Sequence, residues 1–282
     1  MQRNMNHASM RDRARQVVRR NNVVVMGEGA QTLLLTHGFG CDQRIWHKVI
    51  PLLSTQYRLV MFDHVGSGDS QVSAYCANKY RTLHAYAEDM LDVVAALNLD
   101  APILIAHSGS CSIGVLAEHT RPQTFSRMVL VNPAPKYVSD SDLDAGFQPD
   151  EVQQTLQLMR EDYPQWCQQM AQHAMQNSTR PELSARLQAS FIQSNPQIMY
   201  NFARAILYSD FRREYAQIRC PVSLVHCQQD VVVPTSMIDY LHTTLADSEV
   251  ISLAADGHFP QISHSTALVA ALRDILARQN AA

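Results

Sequence analysis

The sequence predicts an α/β fold in which a mostly parallel, doubly wound sheet is interrupted once by a run of helices. Strand-like and helix-like patterns alternate in two parts of the chain, residues 21–134 and 211–282. The strand-like runs are short and almost wholly apolar, which is typical of strands covered by helices on both faces. Between these parts, over residues 135–210, only helical patterns follow one another. A chain of 282 residues is long enough to bury such a core.

Composition gives no reason to expect a nucleic-acid or membrane partner. Hydrophobic residues make up 46% of the chain and charged residues 17%, with a net charge of −3. No apolar stretch is as long as a membrane span. Six cysteines are scattered without a C-x-x-C pair or a Cys/His cluster of zinc spacing. We therefore expect free thiols, no metal and no cofactor in a cytoplasmic protein.

Residues 1–20 form a basic, polar extension that precedes the predicted core. The segment carries five arginines between Arg11 and Arg20, and it lacks the apolar stretch of a secretory signal. We expect a flexible, solvated extension. A partner-binding or targeting arm is the alternative.

The elements of the core follow from two kinds of apolar spacing. An edge strand is predicted at 23–26, and buried strands are predicted at 32–36, 57–62, 103–105, 128–131, 221–227 and 250–253. Helical spacing predicts helices at 45–53, 82–97, 111–119, 236–245 and 265–278. The insertion, 135–210, is predicted to be a four-helix lid with a proline near the start of each helix. Its helices are expected at 150–162, 165–175, 182–193 and 197–207.

A sharp turn that carries a serine follows the apolar strand Ile103–Ile105. The turn reads Ala106-His107-Ser108-Gly109-Ser110, and helical residues follow it. A strand, a tight turn with a serine and a helix are the layout of a nucleophile elbow, whose usual pattern is G-x-S-x-G. Both flanking glycines are replaced by the next smallest residues. An ordinary strand-to-helix turn is the alternative for the motif taken alone.

Three polar residues follow predicted strands in the order Ser108, Asp230, His258. This is the chain order of the α/β-hydrolase triad. The carboxyl ends of parallel strands meet at one edge of a sheet, so these side chains are expected to lie together. A serine hydroxyl needs a base, histidine is suited to that role near neutral pH, and a carboxylate fixes the imidazole tautomer. The backbone N–H groups of Phe39 and Gly109 are the expected oxyanion donors.

Each assignment has an alternative. Asp256 is the other candidate acid, but it lies too close in sequence to His258 to approach the ring easily from behind. His37 and His107 are expected to shape backbone turns. Cys111, one helical turn beyond the serine, is expected to be a buried thiol.

Several stretches resemble the RsbQ-like α/β hydrolases, which include the bacterial stress-response regulator RsbQ and the plant karrikin and strigolactone receptors. Leu34–Asp42 reads L-L-T-H-G-F-G-C-D, and the end of the insertion reads Ser209-Asp210-x-Arg212. The resemblance covers about Arg20 to the C-terminus.

The resemblance implies the α/β-hydrolase fold, the same triad and the same oxyanion donors. It adds three lid residues around an apolar pocket for a small hydrophobic ligand: Trp166, Phe191 and Phe202. It also implies a regulatory protein partner, which for RsbQ is a phosphatase with a PAS sensor domain. The chain departs from the family at Ala106, where glycine is usual, and at Gly109, where a β-branched residue is common; these departures bear on catalytic rate.

The sequence therefore predicts a serine hydrolase that acts on an ester- or lactone-like bond of a small hydrophobic molecule. The alternative is a ligand-dependent signalling protein with slow or single turnover. A haloperoxidase or carbon–carbon bond hydrolase would use the same triad. A haloalkane dehalogenase is disfavoured because its nucleophile is a carboxylate.

Overall fold

A seven-stranded sheet runs through the computed structural model, which describes residues 2–143 and 146–279. The strand order is β1-β3-β2-β4-β5-β6-β7, and all neighbours are parallel except β1, which pairs antiparallel with β3 at one edge. The strands are β1 Val24–Met26, β2 Thr32–Thr36, β3 Arg58–Phe62, β4 Ile103–His107, β5 Arg127–Val131, β6 Val222–Gln229 and β7 Ser248–Asp256. The carboxyl ends of β2 to β7 therefore meet at one edge of the sheet.

Helices cover both faces of this sheet. They are α1 Gln2–Arg20, α2 Ile50–Leu53, α3 Leu83–Ala96, α4 Gly109–Thr120, α5 Pro149–Glu161, α6 Tyr163–Met175, α7 Pro181–Gln193, α8 Pro196–Leu207, α9 Arg212–Ala216, α10 Thr235–Thr244, α11 Pro260–Ser263 and α12 Ser265–Gln279. In β2, Leu34 packs into the core formed with α3 and α4, whereas Leu33 and Leu35 pack on the opposite face with α2 and α12. All three leucines are fully buried, which explains why the sequence shows a continuous apolar run instead of an alternating one.

Four helices, α5 to α8, form the insertion between β5 and β6. Each has a proline in its first two positions, where the missing N–H costs no helical hydrogen bond. The predicted fold class is thus confirmed as a mostly parallel α/β sheet with an inserted helical lid.

The predicted helix over 45–53 is broken in the structure. A 3-10 turn covers Gln43–Trp46, and α2 begins only at Ile50. Pro51 has no N–H to continue a helix from the preceding turn.

The N-terminal segment also differs from its expected flexible, solvated state. Gln2–Arg20 is helical, and its C-terminal part packs against α3 with Val17 buried. Arg20 forms ion pairs with Asp89 at 3.1 Å and Asp92 at 3.0 Å. No pattern in the sequence indicates this docking, because it depends on one apolar residue and on carboxylates about 70 positions away along the chain.

Candidate active site

Ser108 lies between β4 and α4 in a strained backbone conformation. Its φ of 56° and ψ of −128° fall in a region that residues other than glycine rarely adopt. Its N–H donates to the carbonyl of Val131 in β5 at 2.9 Å, which ties the turn to the neighbouring strand. Ala106 and Ser110, the small residues on either side, are both fully buried. The turn has the backbone geometry of a nucleophile elbow.

The His258 ring lies between Ser108 and Asp230. Its Nε2 lies 2.7 Å from Ser108 Oγ, and its Nδ1 lies 2.7 Å from Asp230 Oδ2. Because a carboxylate only accepts, Nδ1 carries the proton and Nε2 accepts from the serine hydroxyl. Asp230 Oδ1 accepts the N–H groups of Val232 and Val233 at 2.8 and 3.1 Å, which fixes the plane of the carboxylate. The arrangement can take a proton from Ser108.

Asp256, the other candidate acid, is exposed. Its backbone carbonyl accepts a hydrogen bond from Asn177 Nδ2 at 3.0 Å, and its carboxylate forms no hydrogen bond with His258. The Nδ1 side of the His258 ring is occupied by Asp230.

The backbone of His258 is held by groups that the sequence analysis did not assign to the site. Its carbonyl accepts from Asn132 Nδ2 at 2.9 Å and from His107 Nε2 at 2.8 Å. Its N–H donates to the carbonyl of Ala174 in α6 of the lid at 2.7 Å. Asn132 also accepts from the Cys227 N–H at 3.0 Å, and it adopts a φ of 49°, which asparagine tolerates better than most residues. Its place just after β5 was the one available sequence signal.

The turn that contains Phe39 is fixed at both ends by serine hydroxyls. Ser110 Oγ donates to the His37 carbonyl, and Ser190 Oγ of α7 donates to the Gly40 carbonyl at 3.0 Å. Gly40 has a φ of +72°, and a Cβ there would lie 2.3 Å from a ring carbon of the lid. The turn therefore depends on glycine at this position.

Both candidate oxyanion donors lie next to the serine. A Cβ on Gly38 would be 3.1 Å from Ser108 Cβ, so the turn that carries Phe39 runs directly beside Ser108. Gly109 is the first residue of α4, and the first N–H groups of a helix have no acceptor within it. The backbone N–H groups of Phe39 and Gly109 thus remain the predicted donors to a developing negative charge.

Asp63 holds the segment that follows the Phe39 turn. The side chain is buried, and its Oδ1 accepts the Gln43 N–H at 2.9 Å. Its Oδ2 accepts from Asn22 Nδ2 at 2.8 Å and from the Asp69 N–H at 3.0 Å. One carboxylate thereby joins three separate segments of the chain, at Asn22, Gln43 and Asp69.

Two histidines beside the elbow, His64 and His107, are kept neutral by burial. Burial lowers the pKa of His64 and of His107 well below the usual value of 6.5. His64 Nε2 lies 2.7 Å from Ser110 Oγ, and His37 Nε2 accepts the His64 N–H at 3.1 Å. Burial also raises the pKa of the Cys111 thiol, which makes it a poor nucleophile.

An apolar cavity of about 80 Å³ lies between Ser108, His258 and the lid. Trp166 and Phe191, two of the predicted pocket residues, line it with ring centroids 5.4 Å apart. Phe202 does not line it. Its ring stacks on Tyr86 at 4.6 Å beneath the Phe39 turn, because the cavity-facing positions of α8 are 203, 206 and 207. The further lining residues are Phe39, Tyr137, Phe147, Val152, Thr155, Met159, Met170, Ala174, Ala203, Ile206, Leu207, Val232 and Phe259.

The described part of the chain holds no cluster of three or more histidine, cysteine or acidic residues suited to a metal ion. Within the same residues, none of the helices combines the length and apolar character needed to cross a membrane.

Comparison with known proteins agrees with this geometry. Residues 31–265 match the family model described as the alpha/beta hydrolase fold. The chain is 32% identical over 258 residues to the strigolactone esterase D14 of Arabidopsis thaliana, covering 91% of this chain and 96% of that protein. It is 29% identical over 253 residues to the karrikin insensitive 2 receptor CA of Petunia hybrida, covering 89% and 94%.

Solved structures show the same architecture. A hydrolase from Oleispira antarctica superimposes with a TM-score of 0.91 at 29% identity, covering 94% of this chain and 97% of the other. The predicted likeness to the plant proteins is confirmed by these relatives. The chain belongs to the α/β hydrolase family.

Proposed function

We propose that the protein is a serine hydrolase that cleaves an ester or lactone bond of a small, largely apolar molecule. The observation that carries the proposal is the contact series Ser108–His258–Asp230, with two 2.7 Å contacts, at the floor of an apolar cavity. Relatives described as a strigolactone esterase and a pimeloyl-[acyl-carrier protein] methyl ester esterase support ester chemistry.

In the first half-reaction, Ser108 Oγ attacks the carbonyl carbon and its proton passes to His258 Nε2. The carbonyl oxygen becomes an oxyanion that accepts hydrogen bonds from the N–H groups of Phe39 and Gly109. Asp230 keeps the proton on Nδ1 and stabilises the imidazolium. The bond to the alkoxy oxygen then breaks, and that oxygen takes the proton from Nε2. The acyl group remains bonded to Ser108.

In the second half-reaction, water gives a proton to His258 Nε2 and its oxygen attacks the acyl carbon. The tetrahedral intermediate collapses, Ser108 Oγ leaves with the proton from Nε2, and a carboxylic acid is released. A lactone would yield a single hydroxy acid by the same steps.

The first experiment is intact-mass spectrometry after treatment with a fluorophosphonate, together with turnover of p-nitrophenyl acetate. We expect one adduct, and we expect Ser108→Ala to lose both the adduct and the turnover. Ser112→Ala is the matched control, because this serine lies one turn along α4 and its hydroxyl, among the residues that the structure describes, hydrogen-bonds only to the Ala134 carbonyl and Tyr215. An unlabelled wild-type protein without Ser108-dependent turnover would refute the proposal.

A second proposal is a ligand-dependent signalling protein, in which hydrolysis is slow or occurs once. It is supported by the receptor relatives and by the hydrogen bond from the His258 N–H to Ala174, which joins the base directly to the lid. The finer likeness to RsbQ, with a PAS-domain partner, belongs to this proposal. Burst kinetics separate the two functions: many turnovers per Ser108 favour the enzyme, and a burst of one product per protein favours the signalling protein.

A further inference from the structure

Tyr137 places an unpaired hydroxyl in the wall of the cavity. The residue is 4% exposed, and its Oη makes no hydrogen bond within residues 2–143 and 146–279. Two other buried tyrosines are paired, because Tyr80 donates to Asp89 at 2.7 Å and Tyr215 lies 3.3 Å from Ser112 Oγ. Tyr86 is unpaired as well, but it lies outside the cavity. A buried hydroxyl without a hydrogen-bond partner lowers the stability of the folded protein. A ligand bound in the cavity would supply such a partner for Tyr137.

The backbone on both sides of Tyr137 is held by contacts with neighbouring segments. The Tyr137 carbonyl accepts the Phe147 N–H at 2.6 Å. Its chain neighbours Lys136 and Val138 form isolated bridges with Asp210 and Phe147. The backbone that carries the phenol is therefore fixed by the fold.

The phenol lies beside the nucleophile and keeps its proton. Tyr137 and Ser108 line the same cavity; burial raises the phenol pKa, and a smaller interaction with the Ser108 side chain lowers it. Because burial raises the pKa of Tyr137 overall, the group is a hydrogen-bond donor at neutral pH. The Ser108 hydroxyl donates to His258 Nε2, and its contact with the phenol does not reach hydrogen-bond geometry, so the Tyr137 proton is available to a substrate.

We propose that Tyr137 Oη donates a hydrogen bond to an oxygen in the acyl part of the substrate. The acyl group stays bonded to Ser108 through the intermediate, which keeps any such oxygen within the same part of the cavity. Preferred substrates are then small esters or lactones that carry an ether or carbonyl oxygen near the scissile carbonyl and are otherwise apolar. This inference rests on the proposed function.

The test uses two esters of equal chain length and the same leaving group, p-nitrophenyl butyrate and p-nitrophenyl methoxyacetate. They differ only in one CH₂ group replaced by oxygen. The ratio of their kcat/KM values is measured in the wild type and in variants, so that the intrinsic reactivity of each ester cancels. We expect Tyr137→Phe to lower the methoxyacetate-to-butyrate ratio by about tenfold, since one buried hydrogen bond is lost and an unpaired hydroxyl no longer penalises butyrate.

Tyr86→Phe is the matched control. Its hydroxyl is also buried and unpaired within the described residues, but Tyr86 does not line the cavity. We expect an unchanged ratio in this variant. We also expect the Tm of Tyr137→Phe to equal or exceed that of the wild type, because no hydrogen bond within the described protein is lost.

An unchanged ratio in Tyr137→Phe, in protein whose Ser108 still reacts with the fluorophosphonate, would overturn the inference and leave the proposed function standing. A clear fall in Tm would overturn it too, because the hydroxyl would then have a structural partner. Absence of both the Ser108 adduct and ester turnover would refute the proposed function, and this inference with it.

Discussion

The two walls of the cavity are held in place by different forces. On the sheet side, the Asp230 carboxylate accepts two N–H groups and the His258 carbonyl accepts two side-chain donors. On the lid side, the rings of Trp166 and Phe191 contact each other, and Phe191 also packs over Gly40. Hydrogen bonds fix direction, whereas apolar packing mainly fixes volume. The sheet wall should therefore tolerate little change, and the lid wall should tolerate changes of similar size with altered selectivity.

The largest expected effect is on the sheet wall. Asp230→Asn keeps the shape of the side chain but presents an amide to His258, so the ring no longer holds its proton on Nδ1. We expect kcat/KM to fall by about 10³–10⁴-fold, measured with p-nitrophenyl acetate. Asp256→Asn is the control and should stay within about twofold of the wild type. Equal losses in the two variants would show that Asp230 is not the orienting acid.

The same contrast explains what the sequence could predict. Ser108, Asp230 and His258 were found because each follows an apolar strand, and the ends of parallel strands converge by topology alone. Phe202 was misplaced because a helix position one residue away turns the side chain by about 100°, and only packing decides which face meets the cavity. Asn132 was missed for a related reason: its hydrogen bond to the His258 backbone joins residues 126 apart.

The free energy of unfolding should fall at acid pH because of two histidines on the sheet side of the cavity. His64 and His107 have pKa values well below 6.5 when folded and regain about 6.5 when unfolded. Below pH 6.5 the unfolded chain therefore binds protons that the folded protein excludes, and stability falls with falling pH; above it these groups have no effect. The combined slope approaches about 2.7 kcal/mol per pH unit.

Urea unfolding between pH 7.5 and 5 measures this slope. His64→Gln removes one titrating group and should reduce the slope by about half, after correction for its lower stability at pH 7.5. Phe191→Leu, on the lid wall, should leave the slope unchanged. A wild-type stability that is flat from pH 7.5 to 5 would contradict neutral burial of these histidines.

One substitution made at two lid positions sharpens the distinction between cavity lining and packing. Phe202→Leu lies outside the cavity and should cost about 1–2 kcal/mol of stability while preserving the preference among p-nitrophenyl esters of different acyl length. Phe191→Leu removes ring atoms from the cavity wall and should shift that preference toward longer acyl chains, with KM changed several-fold. If Phe202→Leu also shifted the acyl-length preference, Phe202 would contact the substrate.

The smallest expected effect lies where the two walls touch. A Cβ on Gly109 would lie 2.8 Å from Cδ1 of Ile206 in α8, so the lid isoleucine occupies the space that a larger residue would need. Gly109 has an ordinary φ, so the cost of Gly109→Ala comes from this contact alone, and we expect about 1 kcal/mol. Ile206→Val deletes Cδ1. In that background Gly109→Ala should cost about 0.5–1 kcal/mol less, as measured by a double-mutant cycle.

Additive effects in this cycle would mean that the strain is relieved elsewhere, by movement of α4. Coupling would show that the glycine after Ser108 is matched by a lid residue, and that the elbow departs from the family pattern without leaving a void. The N–H of Gly109, the proposed oxyanion donor, would then be held as firmly as one on a β-branched residue, because Ile206 supplies the missing packing from the opposite wall.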